Sequence, residues 1–221
     1  VVGKQEYLAY QNNEEKALNF FVESANWAKK GGYHLHETLL NIEIGNCLRL
    51  IGKFDESINY LKKAVFQSKI LRNKEGETQA RFDIIISEVE KGSLLRAQEE
   101  IVALTENRRG KAPLTECAVE HYWLSRILFL RGELIQALDE VEKPLRSEKR
   151  FLDKELNLSL NILRGNILYQ MNEFKSLQLL LKKLSEEDIF SLGADFILEY
   201  YSLLLLAQSK KIVKISEKEK A

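Results

Sequence analysis

Proline and cysteine are scarce in this sequence, with two residues of each among 221, and glycine is limited to eleven. Because proline lacks an amide hydrogen and breaks helices, its rarity leaves long stretches free to form uninterrupted helices. Cys47 and Cys117 are far apart and do not form a metal-binding pair. Reduced thiols in a cytoplasmic protein are the simplest interpretation, with one disulfide as the alternative.

The chain also lacks an excess of either charge and any apolar run of membrane-spanning length. Its 33 basic and 33 acidic residues cancel, so the broad positive field of a nucleic-acid-binding protein is absent. The densest apolar stretch, Tyr200 to Ala207, is much shorter than the roughly 18–20 residues that cross a bilayer. We therefore expect neither nucleic acid nor membrane as a direct partner. The start, Val-Val-Gly-Lys, suggests a piece of a longer polypeptide.

Motifs that would indicate catalysis are missing as well. The sequence contains no glycine-rich phosphate loop, nucleophile elbow or His-Glu-x-x-His motif. His34 and His36 are two residues apart, and such a pair does not share one face of a helix. We predict no catalytic residues, no metal site and no cofactor.

What the sequence does contain is a repeat of forty residues. Residues that readily adopt a positive φ recur at this interval: Asn12, Gly52, Gly92, Gly132 and Asn172. Five positions later stands a column of mostly small residues: Ala17, Ser57, Ala97, Ala137 and Leu177. Four positions beyond that, every residue is apolar: Phe21, Leu61, Ile101, Val141 and Leu181. The register holds along the whole chain, which indicates a repeat architecture.

Each period is predicted to contain two helices. Ile44, Leu48 and Ile51 precede the turn glycine at helical spacing, and the apolar residues after Phe54 follow at steps of three and four. A glycine or asparagine then ends the first helix, called helix A, and the chain reverses into helix B. Pro144 falls inside the fourth helix B, where we expect it to end or kink the helix.

This pattern resembles the tetratricopeptide repeat (TPR), with a small residue in helix A, a turn, and a small and a large residue four apart in helix B. The best copy has Gly45, Leu48, Gly52, Phe54, Ser57, Leu61 and Ala64. The usual TPR period is about 34 residues, so the helices here are expected to be longer. The stretch KEGETQA, residues 74–80, resembles long-helix variants found in kinesin light chains, spindle-orientation scaffolds and bacterial peptide-pheromone receptors. Armadillo and HEAT repeats fit this pattern less well.

The resemblance implies an all-α, right-handed α-solenoid of about five repeats plus a C-terminal helix. We expect one domain over residues 1–208, followed by a charged tail over 209–221. The repeats are placed near residues 1–37, 38–77, 78–117, 118–157 and 158–193, and a capping or sixth-repeat helix over 194–208. The acidic stretch Ser185 to Asp188 resembles a helix start.

The resemblance also implies that the chain is a non-catalytic module. It is expected to bind a peptide or a partner helix in the concave groove lined by the A helices. Asn46 and Asn166 are the candidates for bonding to a peptide backbone, since an amide both donates and accepts. Arg49 and Arg126 are the candidates for holding a carboxylate. Candidate apolar pockets come from five aromatic residues: Phe82, Tyr122, Trp123, Phe129 and Tyr169.

Several alternatives stay open. Aromatic residues at helical spacing also occur in ordinary cores, and the asparagines also suit a solvated surface. The array can instead serve as a spacer or oligomerisation arm, with self-association through the apolar segment Phe196 to Leu206. A third hypothesis is a ligand-sensing domain that regulates a fused transcription factor or enzyme.

Overall fold

The computed structural model describes residues 14–108, 114–147, 152–184 and 194–210. In these ranges the chain forms α-helices joined by turns, and no strand is present there. The helices, in chain order, are α1 Glu14–Lys30, α2 His34–Leu50, α3 Phe54–Ile70, α4 Lys74–Glu90, α5 Leu94–Arg108, α6 Leu114–Leu130, α7 Leu134–Ser147, α8 Lys154–Gln170, α9 Phe174–Leu181 and α10 Ala194–Ser209. The even-numbered helices are the A helices and the odd-numbered ones are the B helices.

The turns between helices have the predicted left-handed residue. Gly52, Gly92, Gly132 and Asn172 have φ values of 83°, 85°, 81° and 60°. After α2, the Gly52 amide donates to the Arg49 carbonyl at 2.9 Å and the Lys53 amide donates to the Leu48 carbonyl at 2.8 Å. This pair of hydrogen bonds is the Schellman motif, which satisfies carbonyls at the helix end. Asn12 lies outside the described residues.

The same turn also joins one repeat to the next, which the sequence analysis did not anticipate. Gly32 and Arg72 have φ values of 73° and 54° and connect α1 to α2 and α3 to α4. The A helices α2, α4, α6 and α8 begin at residues 34, 74, 114 and 154, and the repeat bounds near 38, 78, 118 and 158 stay a prediction. Arginine seldom adopts a positive φ, so Arg72 gave no signal of a turn.

The chain divides into two compact units, Val1–Asn107 and Arg108–Ala221. The assignment of residues 1–208 to a single domain stays a prediction. In the first unit, α2 contacts α1 and α3, α4 contacts α3, and the two A helices α2 and α4 also contact each other. In the second unit, the A helix α8 contacts both α6 and α10. Neighbouring A helices therefore lie side by side within each unit.

Small residues allow the close approach of the helices in each pair. Ala17, Ser57, Ala97 and Ala137 are all buried, as the repeat predicts. A Cβ atom on Gly45 of α2 would lie only 2.6 Å from the Leu61 Cγ atom of α3. Glycine is therefore favoured at this crossing because any Cβ atom would force the Leu61 side chain to move.

The second unit includes the predicted C-terminal helix in its core. On α10, Tyr200, Leu203 and Ala207 are buried in a cluster with Leu158 and Ile162 of α8. The helix spans Ala194–Ser209, close to the expected 194–208. The proposed helix start at 185–188 and residues 211–221 of the tail lie outside the described residues.

Pro144 does not end the fourth helix B, while a kink at this residue stays a prediction. Helix α7 does not end before this proline but continues to Ser147. Pro144 is buried, as is Val141 one turn earlier, and Leu145 packs against the same core cluster. These apolar contacts stabilise the last turn of the helix despite the missing amide hydrogen.

Candidate functional site

A groove of about 690 Å³ lies between the A helices α2 and α4 of the first unit. Its apolar lining consists of Leu35, Leu39, Ile42 and Leu71, and its remaining lining of Glu43, Asn73, Glu75, Gly76 and Gln79. The α2 residues share one face because they are three or four positions apart. Leu35 and Leu39 remain 47% and 46% exposed, so the apolar wall faces solvent.

A hydrogen-bonded polar cluster adjoins the groove through Gln79. The Gln79 Nε2 atom donates to both carboxylate oxygens of Asp83, at 3.2 and 3.1 Å, and Asn46 Nδ2 donates to Asp83 Oδ2 at 3.4 Å. Asp83 is only 4% exposed. The Oδ1 atom of Asn46 is buried and has no hydrogen-bond partner among the described residues. Asn46 therefore keeps an acceptor but has committed its donor to Asp83.

The carboxylates of this region are held in a partly dehydrated environment. Burial raises the pKa of Asp83, while the hydrogen bonds from Gln79 and Asn46 and the charge of Arg49 oppose that rise. Burial also raises the pKa of Glu43, and the charge of Asp83 raises it further. Both groups are therefore less readily ionised than an exposed carboxyl group.

Arg49 lies on the same face of α2 but is already engaged. Its Nη1 atom donates to Glu90 Oε1 at 2.7 Å, and its Nε atom is buried without a described partner. Phe82, the third predicted residue of this unit, is half-buried on α4. Glu43 and Asp83 were not among the residues predicted from the sequence. Glu43 could have been predicted from the sequence, because it lies three residues before Asn46 and therefore on the same face of the helix.

In the second unit, the structure brings three predicted residues of α6 together. Arg126 Nη1 donates to the Tyr122 hydroxyl oxygen at 2.8 Å, and the guanidinium lies 5.9 Å from the centre of the Trp123 ring. Arg126 Nη2 donates to Glu199 Oε1 of α10 at 3.1 Å. Burial lowers the pKa of Arg126, but Tyr122 and Glu199 outweigh this effect and raise it above the usual value. The guanidinium therefore stays charged.

The aromatic residues of the second unit belong largely to its core. Tyr122 is 7% exposed and lies within the buried cluster around Val141, with Trp123 and Phe129 packed partly buried against it. Tyr169 packs against the neighbouring cluster, with its ring centre 6.2 Å from that of Phe174. Tyr122 is therefore a core residue rather than part of an open pocket.

Asn166 lies half-buried on α8, at the repeat position equivalent to Asn46. Its side chain makes no hydrogen bond within the described part of the chain. Unlike Asn46, it therefore keeps both a donor and an acceptor.

Other reactive groups are few in the described part of the chain. Cys47 is a buried thiol whose pKa is raised to about 11, first by burial and then by Glu43 and Glu14. It is therefore a weak nucleophile at neutral pH. Within the described ranges, no three His, Cys, Asp or Glu side chains are grouped as metal ligands would be. Of the helices described, none has the length and apolar character required to cross a membrane.

The backbone is similar to solved TPR-like structures. One is the nearly identical TPR-like repeats of a Podosopora anserina kinesin light chain protein, with a TM-score of 0.65, 12% identity and 93% of each chain covered. Another is NprR in complex with its cognate peptide NprX, with a TM-score of 0.65 and 18% identity, covering 96% of this chain and 61% of NprR. No protein-family model and no curated protein matches the sequence.

These similarities establish the fold. The chain is a TPR-type helical repeat protein of the α-solenoid class, which confirms the predicted resemblance and the all-α fold class.

Proposed function

We propose that this chain is a non-catalytic interaction module that binds a peptide or a partner helix on the face formed by its A helices. The observation that carries the proposal is the open groove between α2 and α4, whose exposed leucines stand beside hydrogen-bonding groups. Binding grooves combine an apolar lining with a few polar groups that fix orientation. NprR, which shares this fold, was solved with its peptide NprX bound, and this precedent supports the same use here.

The proposed contacts in the first unit are Asn46, Arg49 and Phe82. The Oδ1 atom of Asn46 is buried without a partner among the described residues, so it accepts a backbone amide hydrogen from the bound chain only if a neighbouring side chain moves aside. Arg49 is paired with Glu90, so a ligand carboxylate has to compete with that ion pair. Phe82 supplies a half-buried ring on the facing helix.

The proposed contacts in the second unit are Tyr122, Trp123, Arg126, Phe129, Asn166 and Tyr169. Asn166 is the strongest of these, because its amide is not used within the described part of the chain. Arg126 is held by Tyr122 and Glu199, which positions its guanidinium but also occupies two of its donors. Tyr122 is proposed to act through this hydroxyl contact rather than through its buried ring.

Peptide display against the whole chain tests the proposal. A selected peptide is measured by fluorescence anisotropy with wild type, with Leu39→Ser in the groove, and with Leu95→Ser as the matched control. Leu95 is an exposed leucine of the same unit, but it lies on helix B α5. We expect Leu39→Ser to weaken binding about tenfold or more, since it removes an apolar contact, and Leu95→Ser to have no effect. Equal effects of the two variants, or no selected peptide, would refute the proposal.

A second candidate function is self-association through α10. Leu198, Leu205 and Leu206 of this helix are 66%, 64% and 43% exposed, although the opposite face packs in the core. Exposed apolar residues grouped on one helix are typical of an interaction surface. Sedimentation over a range of concentrations, with wild type and Leu205→Ser, distinguishes a self-associating chain from a monomer.

A further inference from the structure

We propose that the groove between α2 and α4 is selective for a cationic peptide segment, one that carries lysine or arginine next to aliphatic side chains. This inference rests on the proposed function and specifies the chemical class of the occupant. It follows from the charge of the groove, from the absence of internal cations beside its carboxylates, and from the spacing of its apolar residues.

The charge of the lining has one sign. Two of its nine residues, Glu43 and Glu75, carry carboxylates, and none is lysine or arginine. The chain as a whole is neutral, with 33 basic and 33 acidic residues, so this local excess is not a consequence of composition. An acidic ligand would meet like charge here, whereas a cation would be attracted.

The carboxylates at the groove lack the cation that comparable carboxylates of the same unit have. Glu37 is paired with Lys63 at 3.3 Å, and Glu77 is paired with Arg81 at 3.1 Å. In contrast, Glu43 forms no ion pair with a described residue, although it is half-buried.

Asp83, behind Gln79, is bonded by two amide groups rather than by a cation. Arg49 lies on the facing helix α2, but its guanidinium donates to Glu90 rather than to Asp83. Burial raises the pKa of both Glu43 and Asp83, and the charge of Arg49 opposes this rise only for Asp83. A ligand ammonium or guanidinium would supply the missing charge, and its attraction is stronger in a partly dehydrated groove than in water.

The apolar residues match the geometry of an extended chain. Leu35, Leu39 and Glu43 follow one another at four-residue steps on α2, about 6 Å apart along the helix. In an extended peptide, side chains on one face recur every second residue, at about 6.6 Å. A suitable peptide therefore has two aliphatic side chains and one cationic side chain at every second position. The aliphatic side chains would face Leu35 and Leu39, and the cation would face Glu43.

The test uses three capped nine-residue peptides. They share leucine at two alternating positions and have lysine, glutamine or glutamate at the next position on the same face. Their affinities for the whole chain are measured by fluorescence anisotropy with wild type and with the double variant Glu43→Gln and Glu75→Gln. The matched control is Glu99→Gln, an exposed carboxylate on helix B α5 that makes no contact within the described residues. Circular dichroism verifies that each variant is folded.

We expect wild type to bind the lysine peptide at least about tenfold more tightly than the glutamine and glutamate peptides, a factor that corresponds to about 1.4 kcal/mol. The double variant should lose this preference, while Glu99→Gln should keep it. If wild type binds the three peptides equally, or the double variant still prefers lysine, the inference is overturned and the proposed function stands. If no peptide of this set binds, the inference is likewise overturned, and the display selection with Leu39→Ser decides separately on the proposed function.

Discussion

Replacing Gly45 with alanine tests the close crossing of α2 and α3 on which the repeat depends. The new Cβ atom would lie 2.6 Å from Leu61 Cγ and 2.7 Å from Leu61 Cδ2. Favourable carbon contacts lie at about 3.5–4.0 Å, so the leucine has to move. Leu61 is fully buried, and its Cγ is a branch point rather than a free side-chain end. The surrounding cluster with Ile58 and Ile84 therefore has to move with it.

The magnitude follows from two opposing effects. Overpacking of a core costs about 1–3 kcal/mol, whereas alanine in place of glycine inside a helix contributes about 0.5–1 kcal/mol. We therefore expect Gly45→Ala to lower the free energy of unfolding by about 1 kcal/mol, the difference between the midpoints of these two ranges. Urea unfolding followed by far-ultraviolet circular dichroism measures this loss.

A double-mutant cycle with Leu61→Ala separates the steric contact from other effects. Leu61→Ala alone should cost about 2–5 kcal/mol because it leaves a cavity. In the double variant, the alanine methyl group at position 45 occupies part of that cavity without a clash. The loss of stability in the double variant should then be about 1–3 kcal/mol smaller than the sum of the losses in the two single variants. Additive losses, or a single Gly45→Ala variant as stable as wild type, would show that the predicted contact does not limit the packing.

Two further predictions concern single positions of the first unit. Asp83→Asn should lack the loss of stability that wild type shows as the pH rises from acid to neutral. Burial raises the pKa of Asp83 in the folded state, so wild type loses stability as the pH rises from about 4, the ordinary aspartate value, through the raised pKa. Unfolding curves across that range check the sign, and a wild type that gains stability over the same interval contradicts it. Gly92→Ala should cost about 1–2 kcal/mol although no atom lies within 4 Å of the new Cβ, because φ is 85°. A thermal melt that leaves this variant unchanged would count against a left-handed turn.

The repeat could be predicted because its strongest requirements are local. A positive φ at Gly52 and a small buried side chain at Ser57 restrict the residue type directly, and both were correctly located. The turn at Arg72 was missed because the surrounding hydrogen bonds, rather than the residue type, maintain its backbone conformation. Helix α4 therefore begins at Lys74, after a turn that the residue type at position 72 did not indicate.

The candidate site was only partly predictable for a related reason. The face of α2 that carries Asn46 and Arg49 follows from helical periodicity. The partners of these side chains do not, since Asp83 and Glu90 are on another helix more than thirty positions away. An arginine that appears available for a ligand in the sequence can thus be paired in the folded chain.

The sequence by itself determined the helix-pair repeat, the turn within each repeat and the apolar register, because each depends on residues close in sequence. Only the tertiary structure decided which polar groups are paired and which stay open. It placed Tyr122 in the core and paired Arg126 with Glu199 of α10. It also left the carboxylate of Glu43 at the groove without an ion pair among the described residues. The physical reason is that burial and ion pairing depend on side chains brought together from different helices, which the spacing of residues along one helix does not specify.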